Sequence, residues 1–112
     1  MSDLSASKTN RRLTARHACH LTARYRLARD WHPATAMDLS MRGCRLRLGE
    51  DLERNAAVEV GFQSPPDAEG RTVEVEVPGT VIWCRREGLS YQAGIHFREA
   101  PDPLEQILNT VA

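Results

Sequence analysis

Leu21-Thr22-Ala23-Arg24-Tyr25-Arg26-Leu27, near the start of the chain, indicates the class of fold. Its apolar residues alternate with polar or charged ones, and this period of two is typical of a strand with one buried face and one exposed face. The strand is predicted to begin at residue 19. Similar alternation predicts further strands at 31–39, 44–48, 58–62, 73–77 and 91–97, with a shorter and more continuous apolar run at 81–83.

Turn-forming residues separate these predicted strands. Arg29-Asp30 and Ser40-Met41-Arg42-Gly43 mark two reversals, and Gly43 is expected to supply a positive φ in the second. Pro78-Gly79 is expected to interrupt the strand between 73–77 and 81–83, because proline has no N–H for a strand ladder. The chain is therefore expected to contain six or seven strands.

The end of the chain follows a different period. Leu104, Ile107, Leu108 and Val111 recur at the spacing of an amphipathic helix, predicted at about 102–111. Asp102-Pro103 precedes them, with Asp102 expected as the cap and Pro103 at the first helical position. The helix is expected to plug or cover the sheet.

These elements predict an all-β fold, a small six-stranded antiparallel β-barrel with a C-terminal α-helix. A chain of 112 residues has a modest core, and closing the sheet removes its edges. Residues 1–10 are mostly small and polar and are expected to form a mobile tail, so that the domain spans residues 11–112.

Composition narrows the class of protein further. No apolar run reaches the length of a membrane span, and the first residues lack the pattern of a signal peptide, so a cytoplasmic protein without membrane insertion is expected. Cys19, Cys44 and Cys84 are an odd number of cysteines in strand-like contexts, which predicts reduced core thiols.

The zero net charge conceals a difference between the two parts of the chain. Residues 1–48 hold ten Lys and Arg against three Asp, whereas residues 49–112 hold five Arg against twelve Asp and Glu. All but one of the basic residues are Arg, whose planar guanidinium suits phosphate oxygens and guanine edges. An anionic ligand is therefore expected to bind the N-terminal part.

Two short patches carry the functional prediction, Arg11-Arg12-Leu13-Thr14-Ala15-Arg16 and Asp38-Leu39-Ser40-Met41-Arg42-Gly43. An antiparallel hairpin between them would return both patches to the same side of the sheet. The resulting pocket would contain guanidinium groups for phosphates, and a carboxylate that accepts hydrogen bonds from guanine N1–H and N2–H₂. This inventory favours a guanine nucleotide.

Both patches resemble the signature of the PilZ domain family, in which RxxxR is followed later in the chain by (D/N)xSxxG. Arg12 to Arg16 and Asp38 to Gly43 match the two halves. The similarity extends to Gly79-Thr80-Val81-Ile82-Trp83, to Gly94-Ile95-His96-Phe97 and to the C-terminal helix, and so covers residues 11–112. Met41-Arg42 occupies a part of the turn where many relatives have smaller residues.

The resemblance implies a receptor that binds cyclic di-GMP and signals to an unidentified protein target. No enzymatic activity, metal or other cofactor is expected, because Asp38 and Ser40 lack a His base and no Cys or His motif has metal-ligand spacing. The implied ligand-binding residues are Arg11, Arg12, Arg16, Asp38, Ser40, Gly43 and Trp83. Arg11, the basic residue before the motif, implies two intercalated ligand molecules. Binding is expected to order the N-terminal segment of a protein that is a monomer or weak dimer.

Several alternatives remain open. The arginines would otherwise form a solvated basic segment, and Asp38 and Ser40 an Asx-type turn. A PilZ-type adaptor without ligand and a barrel that binds RNA or single strands are competing functions, although the few aromatic residues disfavour a stacking platform. Arg24, Arg26, Arg45 and Arg47 are predicted to point outward from their strands, and His96 to lie at the surface or rim.

Overall fold

A computed structural model describes residues 15–111, which form six strands and one helix. The strands are β1 (His17–Arg26), β2 (His32–Leu39), β3 (Gly43–Leu48), β4 (Ala57–Gln63), β5 (Glu74–Glu87) and β6 (Ser90–Phe97). The helix, α1, spans Asp102–Val111. The predicted tail of residues 1–10 lies outside the described residues.

The six strands close into a barrel in the order β1-β2-β3-β6-β5-β4, with every neighbouring pair antiparallel. Pairing of β1 with β4, in which Ala23 faces Phe62 and Arg26 faces Glu59, closes the sheet. The prediction of a small antiparallel barrel with a C-terminal helix is confirmed. Closure gives the backbone groups of the first and last strands in this order hydrogen-bonding partners that an open sheet would lack.

The core fills the barrel with the apolar residues of each alternating strand. Leu21, Ala23 and Tyr25 are buried along β1, and Val58, Val60 and Phe62 along β4. Burial of each large apolar side chain stabilises the fold by about 1.5–3 kcal/mol.

Helix α1 adds its own apolar face to this core. Leu104, Ile107 and Leu108 are fully buried in the same cluster as the strand residues, and the helix packs against β1 and β5. The helix begins at Asp102 itself, so this residue lies in the first turn. Its negative carboxylate there interacts favourably with the positive end of the helix dipole.

Strand β5 continues through Pro78-Gly79, so the expected interruption was wrong. Pro78 lies opposite Glu59 of β4, and its carbonyl accepts the N–H of Arg98 at 2.9 Å. In an antiparallel ladder the nitrogen and the carbonyl of one residue face the same neighbour. The nitrogen of Pro78, which carries no hydrogen, therefore faces Arg98, just beyond the end of β6. The lack of one donor at that position leaves the β5–β6 ladder intact.

Within residues 15–111 the strand pairing has three irregularities in register, one of which lies between Ala18 and Leu21 in the β1–β2 pair; the other two precede site residues. Between β2 and β3, Ala36 faces Leu46 and Asp38 faces Arg45, so Met37 is an extra residue. Between β5 and β6, Val81 faces Ile95 and Trp83 faces Gly94, so Ile82 is an extra residue. Such bulges change the direction of the following side chain, and here they precede Asp38 and Trp83.

Candidate ligand-binding site

The hairpin of β1 and β2 brings Arg16 next to Asp38. In its register His17 faces Leu39 and Ala18 faces Asp38, so the residue before β1 reaches the end of β2. Arg16 Nη1 lies 3.4 Å from Asp38 Oδ1. The pair joins the end of the first patch to the start of the second. Arg11 and Arg12 lie outside the described residues.

Asp38 also contacts a second arginine. Arg45 faces it across the β2–β3 ladder, and Arg45 Nε lies 3.2 Å from Asp38 Oδ2. The Asp38 residue is only 9% exposed, so its carboxylate is largely removed from water and the two guanidinium groups provide the opposite charge. Arg45 is thus not simply a solvent-facing strand residue.

Ser40 shapes the turn between β2 and β3. Its hydroxyl oxygen accepts the N–H of Arg42 at 3.1 Å and of Gly43 at 3.2 Å, and the hydroxyl donates to the Gly43 carbonyl at 3.3 Å. A serine hydroxyl has one donor and two acceptor positions, so these contacts use all of them. Ser40 is 2% exposed and in this structure serves its own turn.

Gly43 is required for a different reason from the one expected. Among residues 15–111 the glycines with positive φ are Gly70 and Gly88, so the predicted positive φ at Gly43 was wrong. Gly43 is instead the first residue of β3, and a Cβ at this position would lie 2.2 Å from the carbonyl oxygen of Ile95. The glycine allows β6 to approach the turn closely.

Trp83 lies across the backbone of β6. A Cβ on Gly94 would be 2.2 Å from the indole Nε1, so only glycine leaves space for the ring. On Trp83 itself, the guanidinium carbon of Arg85 lies 5.2 Å from the ring centroid. The half-buried indole is therefore held between the barrel wall and an arginine.

Arg16, the Ser40–Gly43 turn and Trp83 border an open cleft of about 390 Å³, and Asp38 and Arg45 are not part of its lining. Its lining comprises Arg16, Ser40, Arg42, Gly43, Ile82, Trp83, Gly94, Ile95 and His96. The exposed side chains of Arg42 and His96 add cationic and hydrogen-bonding groups that the motif did not include. His96 faces Gly43 in the β3–β6 register, so its place beside the turn follows from a pairing between distant strands.

Sequence reasoning missed the contact between Arg45 and Asp38, although a signal was present. The reversal Ser40–Gly43 pairs Leu39 with Cys44, and the next pair outward is Asp38 with Arg45. Both residues of such a pair point to the same face of a sheet.

Two cysteines, Cys44 and Cys19, have thiols whose pKa is influenced by Asp38. Burial raises the pKa of the fully buried Cys44 thiol well above its ordinary value, and the Asp38 carboxylate adds to the effect. Burial also raises the pKa of Cys19, again with a contribution from Asp38. Thiols with raised pKa values contain little thiolate at neutral pH.

Residues 15–111 contain neither a metal-binding cluster nor a helix that could span a membrane. No group of three or more His, Cys, Asp or Glu side chains is arranged there to hold a metal ion. The helix of this region, ten residues long, is too short to cross a bilayer.

Comparison with known proteins extends these observations. The structure of the Bacillus subtilis inhibitor of motility, MotI/DgrA, has a similar fold, with a TM-score of 0.70 at 12% sequence identity. The match covers 84% of this chain and 46% of that one, so this chain spans about half the length of the other. No curated protein matches the sequence. The model of the PilZ domain matches residues 10–111, and the chain therefore belongs to the PilZ domain family.

Proposed function

We propose that this protein is a receptor for cyclic di-GMP and an adaptor that transmits the signal to a protein partner. Membership of the PilZ family, whose domains bind and adapt rather than catalyse, supports this class of function. The observation that carries the proposal is the contact between Arg16, which lines the cleft, and Asp38, because a cation suited to phosphate then lies beside a carboxylate suited to guanine.

Each ligand group has a matching group in the proposed site. Arg12 and Arg16 of the motif, with Arg11 just before it, bind phosphates and guanine edges. Asp38 accepts hydrogen bonds from guanine N1–H and N2–H₂, and Trp83 provides an apolar wall for a base. Ser40 and Gly43 contribute to the ligand site by maintaining the turn that borders the cleft.

The proposed signalling step depends on the neutralisation of positive charge by the ligand. Arg11, Arg12 and Arg16 repel one another, and a ligand with two phosphates, taken up as two intercalated molecules, neutralises them. The ligand then holds the N-terminal segment against the cleft. The resulting surface, made of ligand, N-terminal segment and barrel edge, binds the protein partner.

Calorimetric titration with cyclic di-GMP tests the proposal, with GMP and a short RNA as controls at two salt concentrations. We expect saturable binding of the dinucleotide at one or two molecules per chain. Stronger binding of the RNA, with a steep dependence on salt, would instead indicate a nucleic-acid-binding barrel. No binding of any of the three would leave an adaptor that acts without ligand.

Amide hydrogen exchange on the same samples tests the signalling step. Protection of residues 5–16 is expected to increase on saturation with cyclic di-GMP. Unchanged exchange in a saturated protein would contradict this step while leaving the receptor function intact.

A further inference from the structure

We propose that Arg45 is a positioning residue that orients the Asp38 carboxylate for guanine and thereby sets the preference of the site for that base. This inference rests on the proposed function, because it concerns the base that the same site recognises. Arg45 lies outside both motifs; neither it nor Asp38 lines the cleft, but Asp38 contacts the lining residue Arg16. The effect of Arg45 on a ligand is exerted through Asp38.

The two arginines that contact Asp38 are held very differently. Arg16 lies in the coil before β1 and its side chain is 57% exposed, whereas Arg45 belongs to β3 and its side chain is 36% exposed. The Nε atom of Arg45 is completely buried. A ligand can therefore displace or recruit Arg16, while Arg45 remains beside the carboxylate.

Each arginine also approaches a different carboxylate oxygen. Arg16 lies next to Oδ1, and Arg45 lies next to Oδ2 at 3.2 Å. An ionised carboxylate has about four lone-pair positions, so Oδ2 can keep the Arg45 contact and still accept one more donor. The Oδ1 edge becomes available to a ligand once Arg16 turns towards phosphate.

The N–H of Arg45 lies close to the Asp38 carboxylate but is not aligned with it. Although Arg45 Nε lies 3.2 Å from Oδ2, its N–H makes no aligned hydrogen bond within the described part of the chain. A buried donor without a partner is unfavourable. A small rotation of the Asp38 carboxylate, driven by two guanine donors, would let the Arg45 N–H point at Oδ2, so ligand binding and the Arg45 contact favour the same orientation.

Guanine needs an oriented carboxylate because it presents N1–H and N2–H₂ side by side. A site that hydrogen-bonds a particular group discriminates against an analogue that lacks it, since its own polar atom is then left unpaired. Cyclic di-IMP has the phosphates and purine rings of cyclic di-GMP but no N2 amino group. The preference for cyclic di-GMP over cyclic di-IMP therefore reports on the orientation of Asp38, independently of phosphate binding.

The test compares both ligands on the wild type, Arg45→Met, Arg45→Lys and Arg47→Met. Arg47 is a matched control, because it is an exposed arginine of the same strand that faces Thr35 rather than Asp38. We expect the wild type to prefer cyclic di-GMP by about 10-fold or more, the scale of one charge-assisted hydrogen bond. Arg45→Met should lose most of this preference and Arg45→Lys part of it, whereas Arg47→Met should retain it.

A double-variant cycle separates positioning from stability. Asp38→Asn removes the carboxylate, so adding Arg45→Met to it should not alter the ligand preference further. This double variant also provides a folded reference if Arg45→Met alone is unstable, because it leaves no buried carboxylate unpaired.

The outcomes distinguish the two proposals. A wild type that does not bind cyclic di-GMP overturns the proposed function and this inference together. The role of Arg45 alone is overturned if the wild type binds both ligands with equal affinity. It is also overturned if Arg45→Met lowers the affinity for both ligands by the same factor as Arg47→Met does.

Discussion

The guanidinium of Arg16 lies 3.4 Å from the carboxylate of Asp38, although the two residues are 22 positions apart in the chain. The contact joins an exposed cation, its side chain 57% accessible, to a buried anion. Exposed ion pairs contribute little to folding stability, because water already solvates the cation and holding its long side chain costs entropy. Arg16 is therefore available to a ligand at small cost to the fold.

Arg16→Ala is expected to separate binding from stability. Affinity for cyclic di-GMP should fall by about 10- to 100-fold, the scale of a lost charge-assisted hydrogen bond, while the apo melting temperature changes little. Calorimetry and thermal denaturation measure the two effects. Arg71→Ala is the control, because Arg71 is an exposed arginine paired with Glu69 in the loop between β4 and β5. A large loss of apo stability without a loss of affinity would assign Arg16 to the fold alone.

Gly43→Ala is expected to destabilise the apo protein. The new Cβ would meet the Ile95 carbonyl oxygen, a backbone atom that cannot move without disturbing the β3–β6 pairing. Overpacking of this kind costs about 1–3 kcal/mol, which urea denaturation resolves. Gly49→Ala provides the comparison, since a Cβ there has no heavy atom within 4 Å. Equal stability of the two variants would show that the turn can move away from β6.

Fluorescence of Trp83 is expected to report ligand binding. The indole lines the cleft, whereas Trp31 stacks with the guanidinium groups of Arg24 and Arg26 at 4.5 and 4.6 Å. Titration of Trp31→Phe with cyclic di-GMP should reproduce the wild-type change in emission, and Trp83→Phe should abolish it. The reverse assignment of the signal would remove Trp83 from the proposed site.

Tyr25 is expected to make the fold sensitive to alkaline pH. Burial raises its pKa from 10.0 to about 12, with a further contribution from Glu50. The unfolded chain then loses the phenolic proton before the folded chain does, so the stability contributed by neutral Tyr25 is complete below pH 10 and declines up to about pH 12. Urea denaturation between these pH values should show a shallower decline for Tyr25→Phe. Parallel curves for this variant and the wild type would contradict the raised pKa.

The local sequence pattern predicts strands and the helix of this protein, but it does not predict the effect of Pro78. Alternation in β1 and the helical spacing of Leu104, Ile107 and Leu108 predict their elements, because burial on one side of a strand or helix imposes a period on the sequence. Pro78 shows the limit of local rules. Its effect depends on which neighbour its nitrogen faces, and that neighbour is Arg98, beyond the end of β6.

The all-β class, the C-terminal helix and the two motifs that contain Arg16 and Asp38 can be predicted from the amino-acid sequence alone. Each depends on residues close together in the chain, or on one hairpin that returns the chain to its starting edge. Three contacts are seen only in the tertiary structure. Arg45 approaches Asp38, the indole of Trp83 packs against Gly94, and the absence of a Cβ at Gly43 allows the close approach of the Ile95 carbonyl. These contacts depend on register shifts at Met37 and Ile82 and on the pairing of β3 with β6, which bring together residues that local periodicity leaves unrelated.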